Sequence, residues 1–190
     1  MNSNHYATAL LDLTRAIESQ PDNGYLYGRR GALCYEMKDY TAAVSDLSRA
    51  IELQPENSEH YGWRGAVHYE LQDYTAALRD FTHAIDSQSD NSKAYSWRGL
   101  TYYELREYAS ALSDFTQAIE LESDNGHNYH WRGRTYFELK DYVNALSDFT
   151  RAIELQPDNT DNYHWRGRTY EELEDHVHAL HDFTCAVTKS

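Results

Sequence analysis

Residues 58–91 have the sequence SEHYGWRGAVHYELQDYTAALRDFTHAIDSQSDN, and this stretch decides the fold. Its Tyr61 and Gly65 recur every 34 residues, as Tyr27/Gly31, Tyr95/Gly99, Tyr129/Gly133 and Tyr163/Gly167. A fixed period of this length indicates stacked copies of one supersecondary unit. The chain is therefore predicted to be an array of repeats rather than one ordinary domain.

Each repeat predicts two helices. In the first half, Tyr61, Gly65 and His68 follow the spacing of one helical face. The second half has a continuous apolar face, formed by Tyr74, Ala77, Leu78, Phe81, Ala84 and Ile85. The polar pair Gln72-Asp73 predicts a short turn between the helices, and segments such as Gln-Pro-Glu-Asn end the repeats, where asparagine or aspartate can cap the next helix. A glycine inside a helix costs about 1 kcal/mol, so the recurrent glycine predicts a close approach of two helices.

Three charged columns accompany the repeat. An arginine precedes each recurrent glycine, and an aspartate precedes the large apolar residue of each second helix (Arg64 and Asp80 in the quoted repeat). We interpret them as ion pairs between helices, because a buried guanidinium needs an anion; phosphate binding by the arginines is the alternative. A glutamate column (Glu36, Glu70, Glu104, Glu138 and Glu172) is interpreted as an acidic stripe rather than a catalytic pair, since identical carboxylates lack divergent environments.

The order of tyrosine, glycine, aromatic residue, alanine, phenylalanine, alanine and proline closely resembles the tetratricopeptide repeat. The resemblance covers the whole chain, as a half repeat (1–23), four full repeats (24–57, 58–91, 92–125 and 126–159) and a truncated last repeat (160–190). It implies an all-α fold, an α-solenoid of stacked antiparallel helix pairs in a right-handed superhelix. The chain departs from the family pattern where arginine replaces the leucine before the glycine and where two junctions lack proline.

The resemblance also implies a function. In such proteins the first helices line a concave groove that holds a peptide or a partner's helix, so we predict a non-enzymatic interaction scaffold. The groove would be aromatic and small at one end and rich in histidine and arginine at the other. The predicted contact residues are Tyr25, Tyr35, Trp63, Tyr69, Lys93, Trp97, Tyr103, His127, His130, Trp131, Arg134, His164 and Arg168.

Arg134 and Arg168 suggest the chemistry of the partner. Arginine suits bidentate contacts with carboxylates, so this end is predicted to hold an acidic or C-terminal carboxylate group, while the tyrosine end takes apolar side chains. The alternative is that both arginines pair with the glutamate four residues later on the helix surface. The tryptophan column likewise has two interpretations, a ligand-contact series or half-buried packing between first helices.

Composition excludes several classes of function. The formal net charge is −14 and the pI near 5.0, which argues against sequence-independent nucleic-acid binding and against anionic membranes. No apolar run is long enough to span a bilayer, and the N-terminus does not resemble a signal peptide. Cys34 and Cys185 lie in different columns at opposite ends of the array, so we do not expect them to pair, which favours a reducing, cytoplasmic setting.

No cofactor, metal or catalytic motif is predicted. The sequence has no phosphate loop, paired CxxC or HExxH pattern, and His176, His178 and His181 lack the convergent ligands of a metal site. The array begins with half a repeat and ends without an extra polar helix, so a structural or self-assembling role through its end faces is the alternative function. These ends also fit a piece of a longer array, and the likeness of the repeats fits an engineered or recently duplicated array.

Overall fold

The computed structural model describes residues 3–189, with side chains from Tyr6 onward. Within that range the chain is all-α and has no strand. Its helices are α1 (Ser3–Ser19), α2 (Gly24–Glu36), α3 (Tyr40–Leu53), α4 (Ser58–Glu70), α5 (Tyr74–Ser87), α6 (Ser92–Glu104), α7 (Tyr108–Leu121), α8 (Gly126–Glu138), α9 (Tyr142–Leu155), α10 (Thr160–Glu172) and α11 (His176–Thr188). The chain divides into two compact units, unit 1 (residues 1–94) and unit 2 (residues 95–190), with the boundary inside α6. An even-numbered helix, called a first helix, forms a hairpin with the odd-numbered second helix that follows it.

Asparagine or aspartate side chains cap the N-termini of most of the helices. The Asn57 side chain accepts a hydrogen bond from the Glu59 N–H at 3.1 Å, and the Asp73 carboxylate accepts one from the Ala76 N–H at 3.1 Å. Equivalent bonds recur at other helix starts in both units. They satisfy backbone donors that the helix itself leaves open. The predicted capping is confirmed at the junctions before α4, α6, α8 and α10, whereas the Asn23 side chain makes no such bond before α2.

The turn inside each hairpin is tight because one residue adopts a left-handed conformation. Gln72 has φ 60°, and the same φ, within a degree, occurs at Lys38, Arg106, Lys140 and Glu174. The Asp73 N–H donates to the His68 carbonyl and the Gln72 N–H to the Tyr69 carbonyl, each at 2.9 Å. This bond pattern is the Schellman motif, which usually has glycine at the left-handed position.

The core of each hairpin is built from small residues facing one large side chain. Ala77, Phe81 and Ala84 of α5 are completely buried. A Cβ added to Gly65 of α4 would lie 2.7 Å from the Phe81 ring, closer than atoms pack. The predicted close approach at the recurrent glycine is therefore confirmed, and it explains why a helix-destabilising residue stands there.

Each predicted Arg–Asp ion pair forms. Arg64 donates to both carboxylate oxygens of Asp80 at 2.8 Å, and its third nitrogen donates to the Ser48 hydroxyl at 3.2 Å, so one guanidinium joins α3, α4 and α5. The bidentate pair recurs as Arg30–Asp46, Arg98–Asp114, Arg132–Asp148 and Arg166–Asp182. Because the aspartates occupy the donors, the structure favours the ion-pair interpretation over phosphate binding.

The ion pairs fix position more than they add stability. Burial raises the pKa of the Asp148 carboxyl, although Arg132 pulls that pKa down. Desolvation therefore offsets much of the attraction, as is common for buried pairs. The pair still fixes the geometry, since the planar guanidinium binds both carboxylate oxygens through Nε and Nη2 and so orients the two side chains.

A second set of contacts joins successive first helices within a unit. In unit 1, a Cβ added to Gly28 would lie 2.4 Å from Cε1 of His60, so the ring fills the space that the glycine leaves. In unit 2, the Ser96 hydroxyl donates to the Asn128 side-chain oxygen at 2.6 Å. In both units, a residue of one first helix thus contacts the residue 32 positions later, on the next first helix.

Candidate functional site

Most of the predicted groove residues have accessible side chains. Four are exposed: Tyr25, Lys93, His127 and His164. Eight are partly buried: Tyr35, Trp63, Tyr69, Trp97, Tyr103, Trp131, Arg134 and Arg168. Their role in binding remains a prediction. Within each unit, a different subset of these residues lies close together.

His130 departs from the prediction. Only 6% of it is exposed, and its ring shares a hydrogen bond of 2.7 Å with the side-chain oxygen of Asn162 on the next first helix. It packs edge-on against Trp131 and Phe149, and burial lowers its pKa to about 4. Helical periodicity placed His130 on the groove face, but periodicity does not show which part of that face the next first helix covers.

Unit 2 contains a tryptophan–arginine stack, formed by Trp131, Arg134, Trp165 and Arg168. The guanidinium carbon of Arg134 lies 4.3 Å from the ring centroid of Trp131 and 4.4 Å from that of Trp165. The guanidinium carbon of Arg168 lies 4.5 Å from the Trp165 centroid. Two cations therefore share one indole, and their guanidinium carbons are no more than about 9 Å apart.

The rings hold the arginines in place by stacking, and Tyr103 is also a hydrogen-bond partner of Arg134. A guanidinium that stacks on an aromatic face keeps its N–H groups in its own plane, free for other partners. Within the described part of the chain, no group accepts a hydrogen bond from the buried Nε of Arg134. The stack is thus a pair of oriented cations suited to bind an anion.

Neither arginine forms the surface pair that was the alternative interpretation. Among the described residues, no ion pair joins Arg134 to Glu138 or Arg168 to Glu172. Glu172 instead accepts a hydrogen bond of 3.0 Å from the Tyr142 hydroxyl, at the start of the preceding second helix. The same link between repeats joins Tyr40 to Glu70 at 3.5 Å. The glutamate stripe therefore contributes contacts between repeats, which sequence reasoning did not foresee.

The tryptophans pack as half-buried side chains. Trp63 meets Tyr35 edge-on with ring centroids 5.7 Å apart, and Trp131 meets Tyr103 in the same way at 5.3 Å. Trp165 meets Phe137 at 5.4 Å. The packing interpretation is confirmed for these three residues, and in unit 2 the same rings also orient the arginines.

Unit 1 has a pocket between α2 and α4. This α2–α4 pocket has a volume of about 320 Å³ and is lined by Tyr25, Gly28, Arg29, Ala32, Leu33, Glu36, Glu59, His60 and Trp63. Only Tyr25 and Trp63 of these were predicted as contact residues. Glu36 was missed because it belongs to a column interpreted as an acidic stripe, and His60 was missed because its burial depends on Gly28 of the neighbouring helix.

Other sequence features form no cluster in the described part of the chain. No three histidine, cysteine or acidic side chains there converge on a common point as metal ligands. His178 bonds Asp175, its own helix cap, at 2.7 Å, and Cys34 and Cys185 are both free thiols. Nor is any described helix long and apolar enough to cross a membrane.

The comparisons with known proteins agree with this architecture. A sequence model of the tetratricopeptide repeat matches residues 24–57, 92–125 and 129–159. Among solved structures, the chain is similar to MamA 41-end from Desulfovibrio magneticus RS-1, with a TM-score of 0.82 and 18% identity over 88% of this chain and 95% of that one. It is also similar to YrrB, with a TM-score of 0.76 and 22% identity over 94% of this chain and 92% of that one. No curated protein sequence matches significantly.

The family match covers more than half of the chain, and the two structural likenesses extend over most of it. Together with the hairpins, the recurrent glycine and the small–large–small second helices, they confirm the predicted all-α fold of stacked helix pairs. The chain belongs to the tetratricopeptide repeat family.

Proposed function

We propose that this protein is a non-enzymatic interaction scaffold whose first-helix face binds a peptide or a partner protein, with Arg134 and Arg168 receiving an acidic or C-terminal carboxylate group. The observation that carries the proposal is the tryptophan–arginine stack. Arg134 is held between two indoles at 4.3 and 4.4 Å, and its side chain is partly exposed. Charge-assisted contacts of this kind each contribute about 1.5–3 kcal/mol.

Two further considerations support a peptide ligand. YrrB, which has a similar fold, is described as a tetratricopeptide protein with an unusual peptide-binding site. The protein also carries a net charge of −14, so a local pair of oriented arginines is a distinctive feature of an otherwise acidic chain. An acidic ligand would avoid the rest of the surface and bind where the cations are, which gives specificity as well as affinity.

The test is a titration of fluorescein-labelled decapeptides by fluorescence anisotropy. Three peptides differ only at the C-terminus: one ends in four acidic residues, one has the same residues but an amidated end, and one ends in four lysines. We expect the acidic peptide to bind, and the double variant R134E/R168E to weaken binding at least tenfold. The control R151E/K140E has the same change in charge at exposed positions outside the stack. Unchanged affinity in R134E/R168E, with its helical circular dichroism intact, would refute the proposal.

Self-association is a second candidate function, favoured by one face of α11. Leu180 and Val187 are 69% and 76% exposed, and Thr184 lies between them on the same face. The corresponding residues of α9 are partly buried, in a helix that packs against α10. An apolar face of this kind suits contact with another helix.

A further inference from the structure

The α2–α4 pocket of unit 1 has the size of a site for one side chain. Its volume of about 320 Å³ lies at the lower end of the range for ligand pockets. Ala32 and Leu33 give part of its wall an aliphatic character, and half of the Tyr25 side chain is exposed beside them. Such walls accommodate a long methylene chain, and the polar groups around them then determine the charge of its end.

Carboxylates dominate the charge of the pocket. Glu36 and Glu59 both line it, against one cation, Arg29. Arg29 is directed to Tyr25, donating a hydrogen bond of 3.1 Å to the phenolic oxygen. Glu59 is oriented by the Trp63 indole N–H, which lies 3.4 Å from one of its oxygens. The local charge therefore favours a cation.

His60 adds a neutral acceptor. It is 97% buried, and its Nε2 lies 3.0 Å from the side-chain oxygen of Gln54. Because a carbonyl oxygen only accepts, Nε2 carries the proton and Nδ1 keeps a lone pair. Nδ1 is on the side of Gly28, where a Cβ would approach it to 2.6 Å. No described residue donates to Nδ1, and burial lowers the pKa of His60, so the ring stays neutral at pH 7.

Aromatic rings complete the site. The Trp63 ring lies beside the pocket, fixed by an edge-on contact with Tyr35 at 5.7 Å. Indole and phenol faces attract cations, most strongly where the surroundings are partly desolvated. The pocket thus combines two carboxylates, one neutral nitrogen acceptor and aromatic walls, the set of groups that an alkylammonium requires.

We propose that the α2–α4 pocket binds a lysine side chain of the partner, with its methylene groups against Leu33 and its ammonium among Glu36, Glu59 and Nδ1 of His60. This inference rests on the proposed function, because it takes the first-helix face of unit 1 to be a peptide-contact surface. It is an alternative to the prediction that the tyrosine end takes apolar side chains, and it takes into account His60 and the carboxylates that the structure brings together there.

The test uses the whole ¹⁵N-labelled chain and two small probes, Nα-acetyl-lysine amide and Nα-acetyl-norleucine amide, which share methylene groups but differ in the ammonium. We expect the lysine probe to shift the Trp63 indole N–H and the Gly28 amide resonances, with an affinity at least tenfold higher than that of the norleucine probe. The indole resonance is assigned with the variant W63F.

The double variant E36Q/E59Q should weaken the lysine probe at least tenfold, whereas the control E18Q/E56Q, which removes two exposed carboxylates outside the pocket, should not. Equal binding of the two probes, no shift at either reporter, or unaltered affinity in E36Q/E59Q would each overturn the inference. The acidic decapeptide reports on the arginines separately, so the failure of one test is distinguishable from the failure of the other.

Discussion

Two glycines of α4 illustrate how one residue type has opposite roles at positions three residues apart. Gly65 faces Phe81 so closely that a Cβ would lie 2.7 Å from the ring, whereas a Cβ on Gly62 would have no described atom within 4 Å. We expect Gly65→Ala to lower the free energy of unfolding by about 1–3 kcal/mol through overpacking. Gly62→Ala should raise it by up to about 1 kcal/mol, because alanine favours the helix.

Urea denaturation followed by circular dichroism measures both effects. Gly62→Ala is the matched control, since the substitution and the helix are the same. Equal changes in the two variants would contradict the close-packing explanation.

The burial of His130 predicts a pH dependence of stability. Its folded pKa is about 4, below its usual value of 6.5, so the unfolded chain takes up a proton in this range that the folded chain does not. The stability that this pKa difference contributes to the folded chain is complete above pH 6.5 and is lost as the pH falls toward 4. At pH 4.5 we expect the native chain to have lost about 2–3 kcal/mol more than a His130→Gln variant, relative to pH 7.

Equilibrium unfolding in urea at the two pH values provides the measurement. The control is His176→Gln, which replaces an exposed histidine in a different hairpin. A native chain whose pH dependence equals that of His130→Gln would show that the ring titrates normally.

At the scale of elements, the hairpin turns are conformationally strained, because a residue other than glycine occupies the left-handed position. Gln72 occupies a left-handed conformation at φ 60° without being glycine, and such a conformation costs an ordinary residue about 1 kcal/mol or more. We expect Gln72→Gly to raise the free energy of unfolding by about 0.5–1 kcal/mol, after the higher entropy of glycine in the unfolded chain is deducted.

The control is Glu56→Gly, in the junction between repeats, where the backbone does not have a positive φ. At that position glycine only increases the conformational entropy of the unfolded chain, so the substitution should lower the free energy of unfolding. Thermal or urea unfolding of the two variants distinguishes these results, and a loss of stability in Gln72→Gly would contradict the explanation.

At the scale of the whole molecule, the exposed apolar face of α11 leads us to expect that copies of the chain associate. Its Leu180 and Val187 are exposed on the face that is covered in α9. We expect a mass above the 22.1 kDa of one chain at high concentration, measured by light scattering on a sizing column. The variant L180D/V187D should remain monomeric.

Val143→Asp supplies the control, because Val143 is 73% exposed on α9 and lies outside the covered face. It should associate as the native chain does. A native chain that has a mass of 22.1 kDa at every concentration would exclude self-association as the function.

The sequence alone was sufficient for the fold because the 34-residue period repeats one local pattern. Apolar spacing determined the helices, proline and asparagine determined their ends, and Arg64 with Asp80 indicated the ion pair, since a charge on a buried face requires a partner. These features depend only on residues of the same helix or of the adjacent helix. Such contacts recur in every repeat, so the period of the sequence reveals them.

Only the tertiary structure decided the candidate sites. His130 and Arg134 both fall on the first-helix face by periodicity, yet the next first helix buries one and holds the other between two indoles. Likewise, the space left by Gly28 is filled by His60 from the next repeat. The reason is that a binding surface depends on which side chains of one repeat are buried by the next repeat. The residues that control this burial vary from repeat to repeat, so the repeat pattern does not predict it.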